Sequence, residues 1–168
     1  MCGLLFSNDQ RIDKRQFLAG LDKQSHRGPD AKAGYAYIAN THLGHNRLKI
    51  LDLYNRSNQP MVSLCRKYSI IYNGEIYNFR QLRADLEDEG FVFRGNSDTE
   101  VLLNLYIAKG WEALPLLNGI FAFVIWDSRK NELFIARDGL GVKPLYYFAE
   151  AECFAFASEI KALLNLIP

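Results

Sequence analysis

The second residue of the chain combines two reactive groups once the initiator methionine is removed. Methionine aminopeptidases remove Met1 when the next residue is small, and Cys2 meets that condition. Processing would leave Cys2 with a thiol and a free α-amine on the same residue. An unperturbed α-amine has a pKa of roughly 7.7–8.0, so part of it is neutral near pH 7. It can then take the thiol proton directly or through one water. This pattern indicates an N-terminal nucleophile; the simpler alternative is an ordinary early strand residue.

Four other stretches carry polar or charged groups that could serve in acyl chemistry, and each has a plain structural alternative. The side-chain amide of Asn73 and the backbone amide of Gly74 could form an oxyanion hole or only an Asn-Gly turn. The guanidinium of Arg47, in an apolar setting, could hold a substrate carboxylate bidentately or lie on the surface. The carboxylate of Asp98 could bind a substrate ammonium or simply cap a helix. Lys143, in a turn cluster over 138–144, could be wholly structural.

The elements that must position these groups predict an α+β fold. Hydrophobic patterning and turn signals predict strands over 2–6, 33–39, 43–53, 68–72, 119–127, 132–137, 145–148 and 153–157. Helices are predicted over 13–24, 78–89, from the caps at 97–98 onwards, and over 158–164. The strand over 68–72 is expected to end at Asn73-Gly74, and the near-continuous hydrophobic run over 119–127 to be buried on both faces. We therefore expect two sheets with helices on their outer faces.

Composition narrows the class of protein. A chain of 168 residues with 49% hydrophobic residues is long enough for one domain, 1–168, with a substantial core. A net charge of +1 without blocks of like charge favours neither nucleic acid nor a membrane surface as partner. No apolar run suits a membrane span, and the polar segment 7–11 argues against a signal peptide. An odd set of three cysteines (Cys2, Cys65 and Cys153) indicates reduced thiols, so we expect a cytoplasmic protein.

Together these stretches resemble the glutamine amidotransferase domain of the glutamine-hydrolysing asparagine synthetase family. The resemblance covers essentially the whole chain in order, and Pro29 favours the asparagine synthetase branch. The departures, Phe6, Asn46 and Gly139, remove none of the proposed catalytic groups. The matching segments are MCG at 1–3, HRGPD at 26–30, GHNRLKILDL at 44–53, QPM at 59–61, NGEIYN at 73–78, SDTEVLL at 97–103, GIFAFVIWD at 119–127, RDGLGVKPLYY at 137–147 and FASEIKALL at 156–164.

The resemblance implies an N-terminal-nucleophile hydrolase fold, a four-layer αββα sandwich of two mostly antiparallel sheets flanked by helices. It implies that Cys2 attacks the side-chain amide of glutamine and forms a γ-glutamyl thioester, with Asn73 and Gly74 as the oxyanion hole. His26 and Arg27 match a family motif, but we interpret them as mainly structural. The implied glutamine-binding residues are Arg47, Leu48, Lys49, Ile50, Leu51, Asn73, Gly74, Glu75 and Asp98. No metal or cofactor is expected in this domain.

In this family the domain precedes an ATP-pyrophosphatase-type synthetase domain, whose SGGxDS nucleotide loop does not occur within 1–168. We therefore expect a longer protein, with ATP and Mg²⁺ confined to that second domain and aspartate as the default acceptor of ammonia. The resemblance is also compatible with a homodimer. Two alternatives remain: a stand-alone N-terminal-cysteine amidohydrolase acting on another amide, and a non-catalytic glutamine-binding domain. A chain that keeps Met1 has its amine in a peptide bond and should be inactive.

Overall fold

The fold was analysed in a computed structural model, which describes residues 1–31 and 33–167. Lys32 and Pro168, included in the predicted domain 1–168, lie outside the described residues. The strands in the described ranges are β1 Gly3–Ser7, β2 Gly34–Ile38, β3 Thr41–Asn46, β4 Met61–Val62, β5 Tyr68–Ile76, β6 Gly119–Asp127, β7 Glu132–Arg137, β8 Tyr146–Glu150 and β9 Cys153–Ala157. The α-helices are α1 Lys14–Asp22, α2 Phe79–Asp88, α3 Asp98–Lys109 and α4 Ile160–Leu164.

The strands form two sheets, and every pair of neighbouring strands is antiparallel. The first sheet has the order β2-β3-β1-β9-β8, so β1 lies at its centre, and the second has the order β4-β5-β6-β7. Cys2 directly precedes β1 and so lies at one end of the central strand of the first sheet. No helix in the described ranges is long and apolar enough to cross a membrane.

Successive side chains along each strand point to opposite faces of the sheet, and packing on both faces produces a four-layer αββα sandwich. On β1, Leu4 and Phe6 face the second sheet, whereas Leu5 faces outward and packs with Phe17 and Leu21 of α1. The inter-sheet layer is completed mainly by β3, β5, β6 and β9. On the far side, β5 and β6 bury their outer faces beneath α2 and α3. The predicted fold class is therefore confirmed, as is the burial of the run over 119–127 on both faces.

Two predicted strand boundaries were wrong. The strand predicted over 43–53 ends at Asn46, and the following loop passes through Asp52, whose φ of 47° is incompatible with an extended strand. The strand predicted over 68–72 continues to Ile76, because residues 68–76 pair with 119–127 without interruption. Asn73-Gly74 is thus part of a strand rather than a turn. The terminal helices are shorter than predicted, at Lys14–Asp22 and Ile160–Leu164.

Candidate active site

Cys2 lies at the entry to β1, half-buried beside the loop that follows β3. The backbone amide of Leu48 donates to its Sγ at 3.4 Å, and the thiol lies 3.6 Å from the Leu48 carbonyl oxygen. Burial raises the pKa of the Cys2 thiol above its ordinary value, against the opposing effects of the Leu48 hydrogen bond and the N-terminal amine of Met1. The thiol is therefore protonated at neutral pH and needs a base before it can attack.

The thiol faces a cavity of about 140 Å³ between the loop after β3 and the inner end of β5. Most of the predicted site residues line it: Cys2, Arg47, Leu48, Ile50, Leu51, Asn73, Gly74 and Glu75. Lys49 and Asp98 are not on its wall. The backbone amide of Lys49 donates instead to Oδ2 of Asp30 at 2.9 Å. The cavity is also lined by Met1, Ser57, Gln59, Tyr72, Ser97, Thr99 and Lys143.

Asn73 supplies an uncommitted donor on the cavity wall. Asn73 is 2% exposed, and its side-chain nitrogen Nδ2 is buried without a hydrogen-bond partner among the described residues. Leaving a buried amide unpaired costs stability, so a position like this is typical of a donor kept for a ligand. The next residue must be glycine, because a Cβ on Gly74 would lie 2.4 Å from the carbonyl oxygen of Ile120 and 2.8 Å from the Cα of Phe121.

Arg47 also lines the cavity, but its two terminal nitrogens hold the loop that follows it. Nη1 donates to the carbonyl oxygen of Tyr54 at 2.9 Å and to Oδ1 of Asn58 at 2.8 Å. Nη2 donates to the carbonyl oxygens of Leu51 at 3.1 Å and Asp52 at 2.5 Å. Its four terminal N–H groups are thus engaged, and a substrate carboxylate would have to use Nε or displace a loop partner.

Asp98 is held beneath the cavity wall by Tyr72. Its Oδ2 accepts hydrogen bonds from the Tyr72 hydroxyl at 2.7 Å and from the backbone amide of Ile76 at 3.2 Å. Burial raises the pKa of the Asp98 carboxyl. The cap of α3 is Ser97, whose side chain accepts from the amide of Glu100, so Asp98 is the first helical residue and not the cap.

Gln59 and Arg27 have roles that the sequence did not reveal. The carboxamide of Gln59 joins two walls of the cavity, donating to Oγ1 of Thr99 at 3.3 Å and accepting from the amide of Tyr72 at 2.6 Å. Its segment, QPM, was among the matching motifs, which was the available signal. Arg27 donates through Nε to the carbonyl oxygen of Cys2 at 2.9 Å and pairs with Glu159 at 3.3 Å. It therefore orients the backbone of Cys2.

His45 of β3 is a buried neutral histidine behind the site. It is 1% exposed, and its Nε2 lies 2.9 Å from the carbonyl oxygen of Tyr72, so Nε2 carries the proton and donates it. Burial lowers the pKa of His45 to about 4, from an unfolded value of 6.5. The unfolded chain therefore takes up the proton first, and the native state loses stability as the pH falls from 6.5 towards 4.

We expect the free energy of unfolding to fall by about 3 kcal/mol more in the wild type than in His45→Gln over that interval, since each pK unit is worth about 1.4 kcal/mol. Urea denaturation of the two proteins between pH 7 and 4 measures this difference. His26→Gln is the matched control, because His26 lies at the surface beside Glu159. Parallel pH profiles for His45→Gln and the wild type would contradict the assignment.

Comparison with known proteins identifies the family of this chain. The family model described as a glutamine amidotransferase domain matches residues 1–167. The chain is 43% identical over 172 residues to asparagine synthetase [glutamine-hydrolyzing] 3 of Bacillus subtilis, a match that covers 98% of this chain and 27% of that protein. It is 42% identical over 162 residues to amidase chry2 of Gibberella zeae, covering 95% of this chain and 24% of that protein.

The fold has a solved counterpart. The glutamine phosphoribosylpyrophosphate amidotransferase of B. subtilis, in its complex with ADP and GMP, superposes with a TM-score of 0.82 at 23% identity. That match covers 98% of this chain and 43% of the solved one. The chain thus spans about a quarter of the length of the curated relatives. The match over residues 1–167 and the likeness to the asparagine synthetases confirm the resemblance, and the chain belongs to the family of glutamine amidotransferase domains.

Proposed function

We propose that this domain hydrolyses the side-chain amide of glutamine to glutamate and ammonia through a γ-glutamyl thioester on Cys2. The observation that carries the proposal is the pairing of a nucleophile and an oxyanion donor on one cavity. Cys2 and Asn73 line the same cavity, and Nδ2 of Asn73 is buried with no hydrogen-bond partner among the described residues. A carbonyl held between them has a nucleophile on one side and a hydrogen-bond donor for the charge that develops on its oxygen.

Recognition of free glutamine needs one cation and one anion, because the free amino acid is a zwitterion. Glu75 lies on the cavity wall, and the carboxylate of Asp98 lies behind Tyr72 at 2.7 Å from its hydroxyl. These are our candidates for the α-ammonium. Arg47 is our candidate for the α-carboxylate, through Nε or through exchange of one of its loop partners. Backbone groups of residues 48–51 would complete the pocket, with Lys49 contributing through its main chain.

Chemistry begins once removal of Met1 has placed the free α-amine on Cys2. The neutral amine takes the thiol proton, and Sγ attacks the amide carbon to form a C–S bond and a tetrahedral oxyanion. The Asn73 side chain and the Gly74 amide stabilise that oxyanion. Collapse breaks the C–N bond, and the protonated amine returns its proton to the leaving ammonia. Water, deprotonated by the same amine, then attacks the thioester, and glutamate leaves as the thiol is restored.

In the complete protein, we propose that a C-terminal synthetase domain receives the ammonia. That domain would bind ATP and Mg²⁺ and activate a carboxylate, with aspartate as the default acceptor. The relatives support a longer protein, because the aligned region is about a quarter of each. The amidotransferase domain itself would use no metal, and the reaction suits the cytoplasm, where the Cys2 thiol stays reduced.

A substrate panel tests the recognition of the zwitterion. We expect ammonia release from free glutamine, and a fall in kcat/KM of at least about 100-fold for glutamine amide and for N-acetylglutamine. Each analogue leaves one charged group of the site without its partner, and an unpaired buried charge costs several kcal/mol. A coupled glutamate dehydrogenase assay on Met1-free protein measures the ammonia. Equal turnover of all three would favour the alternative, an amidohydrolase acting on another amide.

A further inference from the structure

Glu159 joins β9 to α4 and is held beside the start of β1. The residue before it, Ser158, is fully buried and bonds to Leu4 in both directions. The amide of Leu4 donates to Oγ of Ser158 at 3.0 Å, and the amide of Ser158 donates to the carbonyl oxygen of Leu4 at 3.0 Å. This double contact fixes the segment that carries Glu159 next to the strand that Cys2 precedes.

The carboxylate of Glu159 binds three basic side chains. Its Oε1 lies 3.3 Å from Nη1 of Arg27 and 2.8 Å from Nε2 of His26, and its Oε2 lies 3.0 Å from Nζ of Lys161. Burial of the carboxyl opposes its ionisation, but the hydrogen bonds from these three partners lower the pKa of Glu159. The partners differ in one respect: the side chains of His26 and Lys161 are more than half exposed, whereas that of Arg27 is 8% exposed.

The position of Arg27 depends on this carboxylate. Glu159 is its only ion-pair partner within 1–31 and 33–167, and Nη2 of Arg27 is buried there without a hydrogen-bond partner. A buried charge that loses its partner is strongly destabilised. Without Glu159 the guanidinium would therefore turn towards solvent and release the carbonyl oxygen of Cys2, to which its Nε donates at 2.9 Å.

The contact between Arg27 and Cys2 gains importance when Met1 is removed, because Cys2 is then the end of the chain. The pairing of β1 with β3 begins at Gly3, so no strand pairing holds Cys2 itself. Terminal residues are poorly ordered unless other groups tie them down. Arg27 binds the carbonyl side of Cys2, so this contact does not involve Met1, and it fixes the peptide plane from which the thiol and the amine project.

We propose that Glu159 is a positioning residue, which holds Arg27 against the Cys2 carbonyl oxygen and so keeps the thiol and the α-amine of processed Cys2 at the cavity. The inference rests on the proposed function and adds to it a residue that does not line the cavity. Glu159 contacts no substrate and exchanges no proton in the reaction. Its effect on turnover passes through Arg27.

Steady-state kinetics of the Met1-free protein test this role. We expect Glu159→Ala to lower kcat for glutamine by about 10–100-fold with KM within about twofold, since a misplacement of about 1 Å can cost about 100-fold. His26→Gln and Lys161→Met are the matched controls, and they should keep kcat within about twofold because exposed ion pairs contribute little. An unchanged kcat in Glu159→Ala, or an equal loss in the two controls, overturns the inference.

A double-mutant cycle tests whether the effect passes through Arg27. If it does, Glu159→Ala should add no further loss of kcat to Arg27→Met, because the residue through which it acts is already absent. Losses that add in the double variant would show that Glu159 acts by another route and would contradict the inference.

Alkylation of Cys2 by iodoacetamide gives a readout that does not require turnover. Mass spectrometry of the N-terminal peptide should show alkylation at least about threefold faster in Glu159→Ala, because a released terminus loses the burial that keeps its thiol protonated. Unchanged or slower alkylation in the folded variant, as judged by circular dichroism, overturns the inference.

Glu159→Gln lacks the charge but keeps the shape, and it carries both comparisons if the alanine variant fails to fold. It should lower kcat by at least about threefold, because a neutral acceptor binds the Arg27 guanidinium less strongly than a carboxylate does. A wild type that releases no ammonia would contradict the proposed function, and the alkylation comparison would still decide the role of Glu159.

Discussion

Replacing Cys2 with alanine is expected to abolish ammonia release from glutamine, with a fall in kcat of at least about 10⁴-fold. The reason is that no other group on the cavity offers a thiolate, and removal of the nucleophile from a catalytic constellation costs losses of this order or greater. Alanine is small, so Met1 should still be removed and the α-amine should still form at residue 2. The variant therefore loses the nucleophile and retains the amine. The glutamate dehydrogenase assay measures the loss.

The other cysteines provide matched controls. Cys65 is exposed, in the turn between β4 and β5, and Cys153 is half-buried at the start of β9, beside Arg11. Cys65→Ala and Cys153→Ala should retain activity within about twofold, since neither residue lines the cavity. Mass spectrometry must show that Met1 is absent from each sample. Full activity in Cys2→Ala would refute the assignment of the nucleophile. A loss of activity in Cys65→Ala and Cys153→Ala but not in Cys2→Ala would refute it as well.

Asn73→Ala should lower kcat by about 10²–10³-fold with little change in KM, since loss of one oxyanion donor costs about 2.7–4 kcal/mol in the transition state. Stability should behave differently from activity. Nδ2 of Asn73 is a buried donor without a partner among the described residues, so its removal breaks no hydrogen bond that the folded chain makes. We expect an unchanged or slightly higher Tm together with the loss of turnover. Steady-state kinetics and thermal denaturation measure the two effects.

Asn104 is the matched control for that substitution. It is a buried asparagine, 7% exposed, on α3, and it lines a separate pocket beside the turn between β4 and β5. Asn104→Ala should leave kcat within about twofold of the wild type. A kcat for Asn73→Ala equal to that of the control would mean that Asn73 does not stabilise the oxyanion.

The layering could be predicted from the sequence because it depends on periodic information, and the hypothesis of an N-terminal nucleophile came from local information at Cys2. A strand with consecutive apolar residues, such as β1, buries both of its faces when helices cover one face and a second sheet covers the other. The hydrophobic run over 119–127 identifies a central strand for the same reason. Cys2 could be proposed as the nucleophile because the thiol and the amine of an N-terminal cysteine belong to one residue.

Tertiary structure decided where the strands around the site end and which groups the site residues bind. Asn-Gly is locally a turn signal, but nine residue pairs between β5 and β6 keep it extended, and Gly74 is required by the close approach of Ile120. Arg47 was expected to be free for a carboxylate, yet its guanidinium satisfies the carbonyl groups of a loop that no strand pairs. Such carbonyl groups need donors wherever they are buried, and which side chain supplies them depends on the folded path of the chain.

The sequence by itself predicted the fold of two sheets with helices on their outer faces, and it led to the hypothesis that Cys2 is a nucleophile with its own base. Only the tertiary structure decided which groups share its cavity. It separates Lys49 and Asp98 from the wall and brings Gln59 and Lys143 onto it. The physical reason is that residues far apart in the chain meet through sheet register and loop path, which local patterns do not encode. Lys143 was part of a turn motif in the sequence; its backbone amide helps to form the turn, and the residue lines the cavity.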